Sequence, residues 1–259
     1  MSEQMTNRAG RWARSIAAVL LAAAIALPAA AADIMVSAAA SLTNAFTDIG
    51  KAFEAKHSGA RVLFNFGASG SLLQQIARGA PVDVFASADM ETMDRAQKQN
   101  LVFRDSWVVF AANKLVLATN VAITDAAAPL SLLARDNVKH VALGNPTSVP
   151  VGRYAKAAME KAGVWDALQP KLVLTQNVRQ SLDYLSRGEV DAAFVYATDV
   201  AIAPLKPQGV AEVQTEKPIL YPIAAVKGFG NERWAREFVA FVRSAEGVAI
   251  LQRYGFLKP

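Results

Sequence analysis

The chain has 259 residues, of which 53% are hydrophobic and none is cysteine. The absence of cysteine excludes disulfides, thiol nucleophiles and thiolate metal sites, so an apolar core must hold the fold together. The formal net charge is +5, but lysine and arginine do not cluster with aromatic residues, which argues against nucleic acid as a partner.

The first 32 residues have the pattern of a secretory signal peptide. Arg8, Arg11 and Arg14 precede an uncharged, alanine-rich run at 15–32 that ends in small residues. A basic start, an apolar middle and a small-residue end are typical of a cleaved signal. A retained membrane anchor is the alternative, but the run is barely long enough to span a bilayer and no stop-transfer charges follow it. We therefore expect cleavage near the end of 1–32 and a periplasmic protein.

Short apolar runs alternate with helical spacing along the chain that follows. Runs at 33–37, 61–66 and 82–86 each precede a stretch in which apolar residues recur at helical intervals. The same pattern restarts from residue 138 onward. Such alternation predicts βαβ units and parallel sheets, so the fold class is α/β.

Two places indicate where the chain passes between sheets. The apolar runs 107–111 and 115–118 are joined by only three residues, so we expect the chain to leave one sheet and enter a second there. The run 219–226 contains Pro222 and is expected to return to the first sheet as an edge strand. These crossings predict two lobes, each a mainly parallel sheet flanked by helices, with a two-crossing hinge. Lobe 1 comprises 33–112 and 222–259, and lobe 2 is the inserted segment 113–221.

Four turns between a strand and a helix share one design. They contain Ser41, which we place at an N-cap, Ser69, residues 149–152, and the pair Asn177 and Val178. Each such turn points unpaired backbone N–H groups and the positive end of a helix dipole outward. Any one of them alone is explained as a helix cap, which contributes about 1 kcal/mol. Because two turns come from each lobe, at strand ends where ligands bind, the set predicts a small-anion site in the cleft.

The segments around these turns, with three further segments, carry a family resemblance. They are SAAASLTNAF (37–46), FGASGSL (66–72), GAPVDVFASAD (79–89), GNPTSVPVGRYA (144–155), NVR (177–179), VY (195–196) and RYGF (253–256). Together they resemble the periplasmic molybdate-binding (ModA-type) proteins, and the resemblance extends over essentially all of 33–259. It implies the two-lobed fold of class II periplasmic binding proteins, and a non-enzymatic, monomeric protein without a cofactor. Such a protein delivers molybdate, and by expectation tungstate, to the membrane permease of an ABC transporter.

The resemblance also implies the residues that hold the anion. In that family an oxyanion is bound by two serine hydroxyls with their N–H groups, two further backbone N–H groups and one tyrosine hydroxyl. By motif these correspond to Ser41, Ser69, Val151, Val178 and Tyr196, with molybdenum held only as the oxyanion. Val151 stands where many members have alanine. A backbone donor tolerates this change, and the larger side chain would narrow the pocket.

The chemistry of these five positions favours one type of anion. All of them offer donors, which suits a tetrahedral dianion that is fully deprotonated near neutral pH. Hydrogen phosphate would need an acceptor for its proton, and a buried O–H without one costs about 1–3 kcal/mol. Sulfate is smaller than molybdate, so the same donors would reach it poorly. Tungstate is nearly the same size, and the sequence does not separate the two.

Three other functions are weighed against this one. The same fold with another small oxyanion is the nearest alternative. An exported hydrolase with Ser41 or Ser69 as nucleophile is disfavoured because no histidine follows at a recognisable position and Gly-x-Ser-x-Gly is absent. A transcriptional effector-binding domain would need an N-terminal helix-turn-helix where this chain has a signal sequence.

The remaining polar residues have structural explanations. His57 and His140 lack acidic companions at metal-ligand spacing. Asp83 and Asp89 flank one strand end, where we expect helix capping and ion pairs between elements rather than a metal site.

Overall fold

The computed structural model describes residues 32–123, 125–228 and 231–259, so the predicted signal peptide lies outside the described residues except for Ala32. The strands are β1 (Ala32–Ala39), β2 (Ala60–Gly67), β3 (Val84–Ala86), β4 (Val108–Asn113), β5 (Leu115–Thr119), β6 (Val141–Gly144), β7 (Leu172–Thr175), β8 (Ala192–Tyr196), β9 (Gly209–Glu212) and β10 (Ile219–Ala225).

The α-helices are α1 (Thr43–Lys56), α2 (Ser69–Ala77), α3 (Met90–Lys98), α4 (Pro150–Lys161), α5 (Trp165–Leu168), α6 (Val178–Ser186), α7 (Ala197–Ala201), α8 (Glu232–Val242) and α9 (Ala245–Arg253). Short 3-10 helices cover Ala40–Leu42, Pro129–Ala134 and Gln169–Lys171. None of the helices in the described ranges is long and apolar enough to cross a membrane.

The strands form two five-stranded sheets with the same plan. Their orders are β2-β1-β3-β10-β4 and β7-β6-β8-β5-β9. The first three strands of each order are parallel, and the fourth, β10 or β5, runs antiparallel to both of its neighbours. With helices flanking both sheets, this is the two-lobed α/β fold that the alternation predicts. It brings the carboxyl ends of β1 and β2 in one lobe, and of β6, β7 and β8 in the other, to the cleft edges.

The chain crosses between the sheets twice. Strand β4 ends at Asn113 in the first sheet and β5 begins at Leu115 in the second, so only Lys114 joins them. The predicted change of sheet is therefore confirmed at this point. The return lies between Glu212, the end of β9, and Ile219, the start of β10. The lobe boundaries at 113 and 222 stay a prediction.

The prediction that the Pro-containing strand lies at an edge is wrong. Strand β10 lies between β3 and β4 and pairs with both. Pro222 is tolerated there because the register with β4 shifts between Tyr221 and Pro222, and such an irregularity removes the need for a ladder N–H. The carbonyl of Pro222 still accepts a bond from Ser87 N–H at 2.9 Å.

The hydrophobic core lies between the sheets and the helices that flank them. Every residue of β5, β6 and β8 is buried, which is the pattern of strands covered on two faces. Helix α1 buries Phe46, Ile49 and Phe53 at helical spacing. The rings of Phe46 and Phe53 lie 6.1 and 5.4 Å from that of Phe238 on α8, at angles typical of favourable edge contacts.

Candidate functional site

A small cavity lies between the two lobes, at the carboxyl ends of the parallel strands. All five residues that the sequence singles out line it, namely Ser41, Ser69, Val151, Val178 and Tyr196. The space open to the centre of a water-sized sphere measures about 10 Å³. This is far below the roughly 300–1,000 Å³ of pockets for drug-sized ligands, so the space suits a guest of a few atoms.

Ser41 is placed differently from the prediction. It lies inside the 3-10 helix Ala40–Leu42 rather than at the N-cap of α1, which is Leu42. The tight 3-10 turn between β1 and α1 buries the Ser41 side chain. Its Oγ lies 3.0 Å from the hydroxyl of Tyr221, so the hydroxyl bonds to a side chain far along the chain instead of capping its own helix.

Ser69 begins α2, and Ala68 before it is the extended N-cap residue. Its N–H is therefore one of the first in the helix, which have no partner within the helix. The Ser69 Oγ accepts a bond from the N–H of Ala88 at 3.0 Å. Since this bond uses a lone pair and not the hydroxyl hydrogen, Ser69 keeps its O–H as a donor toward the cavity.

Val151 is the second residue of α4, after Pro150. Proline has no N–H, so Val151 carries the first free backbone donor of this helix. The following residue must be glycine, because a Cβ on Gly152 would lie 1.7 Å from the carbonyl oxygen of Gly144. This contact presses the start of α4 against the end of β6. A Cβ on Gly144 would in turn lie 3.1 Å from a Val151 methyl, so that side chain packs on the strand end.

Val178 opens α6, and the predicted N-cap at Asn177 is confirmed. The Asn177 Oδ1 accepts a bond from Gln180 N–H at 3.1 Å, which leaves the Val178 N–H for another acceptor. A buried contact of 2.7 Å between Thr175 Oγ1 and Ser181 Oγ ties the helix to the end of β7.

Tyr196 ends β8 and is 1% exposed. Its hydroxyl has no hydrogen-bond partner among the described residues, although it is buried. Burial raises the pKa of Tyr196 well above its usual value, so the group remains a protonated donor. A buried hydroxyl without a partner costs about 1–3 kcal/mol, so this group points to a ligand that accepts its hydrogen.

The cavity is electrically unusual because, among the residues that the structure describes, no charged side chain lines it. The guanidinium of Arg179 contacts a lining residue, since its Nη2 donates to the Ser41 carbonyl at 3.1 Å, and its Nη1 donates to Asn44 at 2.9 Å. Its Nε lies 2.8 Å from the buried carboxylate of Asp199. Burial raises the pKa of Asp199, while the Arg179 charge and the bond from Tyr196 N–H oppose that rise. The helix N-termini at the cavity therefore contribute positive potential there without a charged side chain in its lining.

The lobes also touch beside the cavity. Asp89 caps α3 by accepting from Thr92 N–H, and its Oδ2 accepts from Nε of Arg153 on α4 at 2.9 Å. The predicted capping and ion-pairing role of Asp89 is thus confirmed. Asp83 instead accepts a bond from Met35 N–H at 2.8 Å. Among the described residues, no group of three or more histidine or acidic side chains is placed to hold a metal ion.

Three residues near the site were not found from the sequence. Tyr221 and Asn113 lie in β10 and β4, where their apolar neighbours hide them in strand patterns. Arg179 carried a signal, since it directly follows Val178 in one of the quoted motifs.

Comparisons with known proteins identify relatives of this chain. The model of the family described as bacterial extracellular solute-binding proteins matches residues 34–257. The molybdate-binding protein ModA of Escherichia coli K12 is 35% identical over 96% of this chain and 98% of its own length. ModA of Haemophilus influenzae is 31% identical over 88% and 91%. The solved periplasmic molybdate-binding protein of Azotobacter vinelandii is 25% identical, with a TM-score of 0.79 over 87% of this chain and 99% of that one.

Proposed function

The chain belongs to the family of bacterial extracellular solute-binding proteins, and we propose that it captures molybdate in the cavity between its lobes. The ModA relatives support this choice of anion. We further propose that tungstate binds in the same way and that the loaded protein delivers its anion to the permease of an ABC transporter from the periplasm. In this account the protein is a carrier and not an enzyme.

The unpartnered hydroxyl of Tyr196 is the observation that carries the proposal. A buried donor with no protein acceptor predicts a guest that supplies one. The same cavity is lined by Ser41, Ser69, Val151 and Val178, whose backbone N–H groups lie in the first turns of helices. These groups would surround a tetrahedral oxyanion with donors from both lobes.

Selectivity would follow from the lack of a carboxylate or imidazole acceptor in the described lining. In the described part of the chain neither a carboxylate nor a histidine lines the cavity, so a protonated anion would find no strong acceptor for its hydrogen. The cost of about 1–3 kcal/mol for such a buried O–H disfavours hydrogen phosphate by roughly 5- to 150-fold. Molybdate, which carries no proton at neutral pH, avoids this cost.

Equilibrium dialysis against molybdate, followed by elemental analysis, tests the proposal. We expect close to one molybdenum per chain, because the proposed donors surround one small space. Tungstate at a comparable concentration should displace it, since both anions present acceptors only. Retention of no molybdenum, or of several per chain, would contradict the proposal.

A further inference from the structure

We propose that Asn113 and Tyr221 form a hydrogen-bond relay that orients the Ser41 hydroxyl so that it donates to the bound anion. The inference rests on the proposed function and names the positioning residues for one of its donors. The relay runs from the backbone of Lys114 to Ser41 through two buried side chains.

The direction of the first step is set by the backbone. The Oδ1 of Asn113 accepts a bond from Lys114 N–H at 2.9 Å, and a backbone N–H can only donate. This bond fixes which side of the amide carries oxygen. The Nδ2 group must therefore face the other way, where it donates to Thr198 Oγ1 at 2.9 Å and to the Tyr221 hydroxyl at 3.3 Å.

The second step follows from the first. Because the Tyr221 oxygen accepts the Asn113 hydrogen, its own O–H is free to donate to Ser41 Oγ, 3.0 Å away. Burial raises the pKa of Tyr221, so the phenol keeps this hydrogen. Ser41 then uses a lone pair toward Tyr221 and turns its hydrogen toward the cavity. Ser69 reaches the same state by accepting the Ala88 N–H, so both serines present donors.

The relay lies where the chain crosses between the two lobes. Asn113 ends β4 at the first crossing, and Tyr221 lies in β10 just beyond the second. Thr198, which accepts from Asn113, lies on α7, two residues after Tyr196. Asn113, Tyr221 and Ser41 are all buried, so water does not compete for the hydrogen bonds between them. The direction in which the Ser41 O–H points is thus set by residues at the two crossings between the lobes. Without the relay this hydroxyl could rotate and accept a hydrogen from the anion.

Two variants test the relay through selectivity rather than affinity alone. Tyr221→Phe removes the donor that occupies the Ser41 lone pair and keeps the ring. Asn113→Asp turns the Nδ2 donor into an acceptor, which reverses the relay so that Ser41 donates to Tyr221 and offers a lone pair to the cavity. In both variants Ser41 gains the ability to accept a hydrogen from an anion.

The measurement is competition against bound molybdate by hydrogen phosphate and by sulfate, at a mildly alkaline pH where both competitors are dianions. Of the two competitors, only hydrogen phosphate carries a proton. The carboxylate charge that Asn113→Asp adds repels both dianions alike, so it does not change the ratio of their affinities. We expect the affinity ratio of hydrogen phosphate to sulfate to rise about fivefold or more in each variant, the lower end of the cost of an unsatisfied buried donor. Tyr254→Phe is the matched control, since it removes a tyrosine hydroxyl that donates to Asp48 at 2.7 Å outside the cavity.

The outcomes separate the two proposals. A raised ratio in Tyr221→Phe and Asn113→Asp but not in Tyr254→Phe supports the relay. Weaker binding of both competitors with an unchanged ratio means that Tyr221 and Asn113 only support the fold, which overturns the relay alone. Wild-type protein that binds no molybdate overturns the proposed function and the relay with it.

Discussion

Replacing Tyr196 by phenylalanine is expected to weaken molybdate binding by roughly 10- to 150-fold, because a hydrogen bond to a charged group contributes about 1.5–3 kcal/mol. The Tyr196 hydroxyl bonds to none of the described residues, so its removal breaks no protein contact. The ring that packs 5.9 Å from that of Tyr221 is kept. The ligand-free melting temperature should therefore stay the same or rise, while the increase caused by molybdate shrinks.

Calorimetry and thermal melting of the same sample measure both quantities. Tyr184→Phe is the control, because its hydroxyl accepts a bond from Gln180 at 2.9 Å in the same lobe and away from the cavity. Unchanged molybdate affinity in Tyr196→Phe, together with a lowered ligand-free melting temperature, would assign Tyr196 to the core instead of the site.

We expect the two lobes to close on the anion, and Gly70→Ala to hinder this closure and to weaken molybdate binding by roughly 5- to 150-fold. A Cβ on Gly70 would lie 2.7 Å from the carbonyl oxygen and 2.9 Å from the Cα of Ser148, which belongs to the opposite lobe. The Gly70 N–H also donates to that carbonyl at 2.9 Å, so the two backbones are held in contact. Overpacking of this kind costs about 1–3 kcal/mol, and it applies only while the lobes are together.

The same substitution should not destabilise the ligand-free protein. Gly70 is the second residue of α2, where alanine favours the helix by up to about 1 kcal/mol, so the ligand-free melting temperature should not fall. Small-angle scattering should show that molybdate compacts the wild type and the control Gln74→Ala, on the exposed face of the same helix, but not Gly70→Ala. Equal compaction of all three proteins would mean that this contact does not limit closure.

The sequence is informative about the two lobes and the family because both depend on local patterns. Apolar runs that alternate with helical spacing indicate the strands of α/β sheets, and the structure confirms such strands in both sheets. The family match over 34–257 likewise confirms the resemblance found in the motifs. The five proposed ligand residues come together at one cavity because each lies at or after the carboxyl end of a parallel strand. Their binding of an anion stays a prediction.

What the sequence does not reveal depends on contacts between distant residues. Ser41 and Tyr221 are 180 positions apart, and Asn113 and Tyr221 are 108 apart. A strand pattern shows that Tyr221 is buried but not which hydroxyl it meets. The interior position of β10 was missed for a related reason, since a register shift beside Pro222 cannot be seen from proline alone.

Titration calorimetry with molybdate, sulfate and phosphate tests the central claim most directly, namely that the cavity binds a fully deprotonated oxyanion through donors alone. The account predicts that molybdate saturates the protein at about one per chain, and that a large excess of sulfate or phosphate displaces it poorly. Phosphate that binds as tightly as molybdate would contradict the claim, because such a site must contain an acceptor for the phosphate hydrogen.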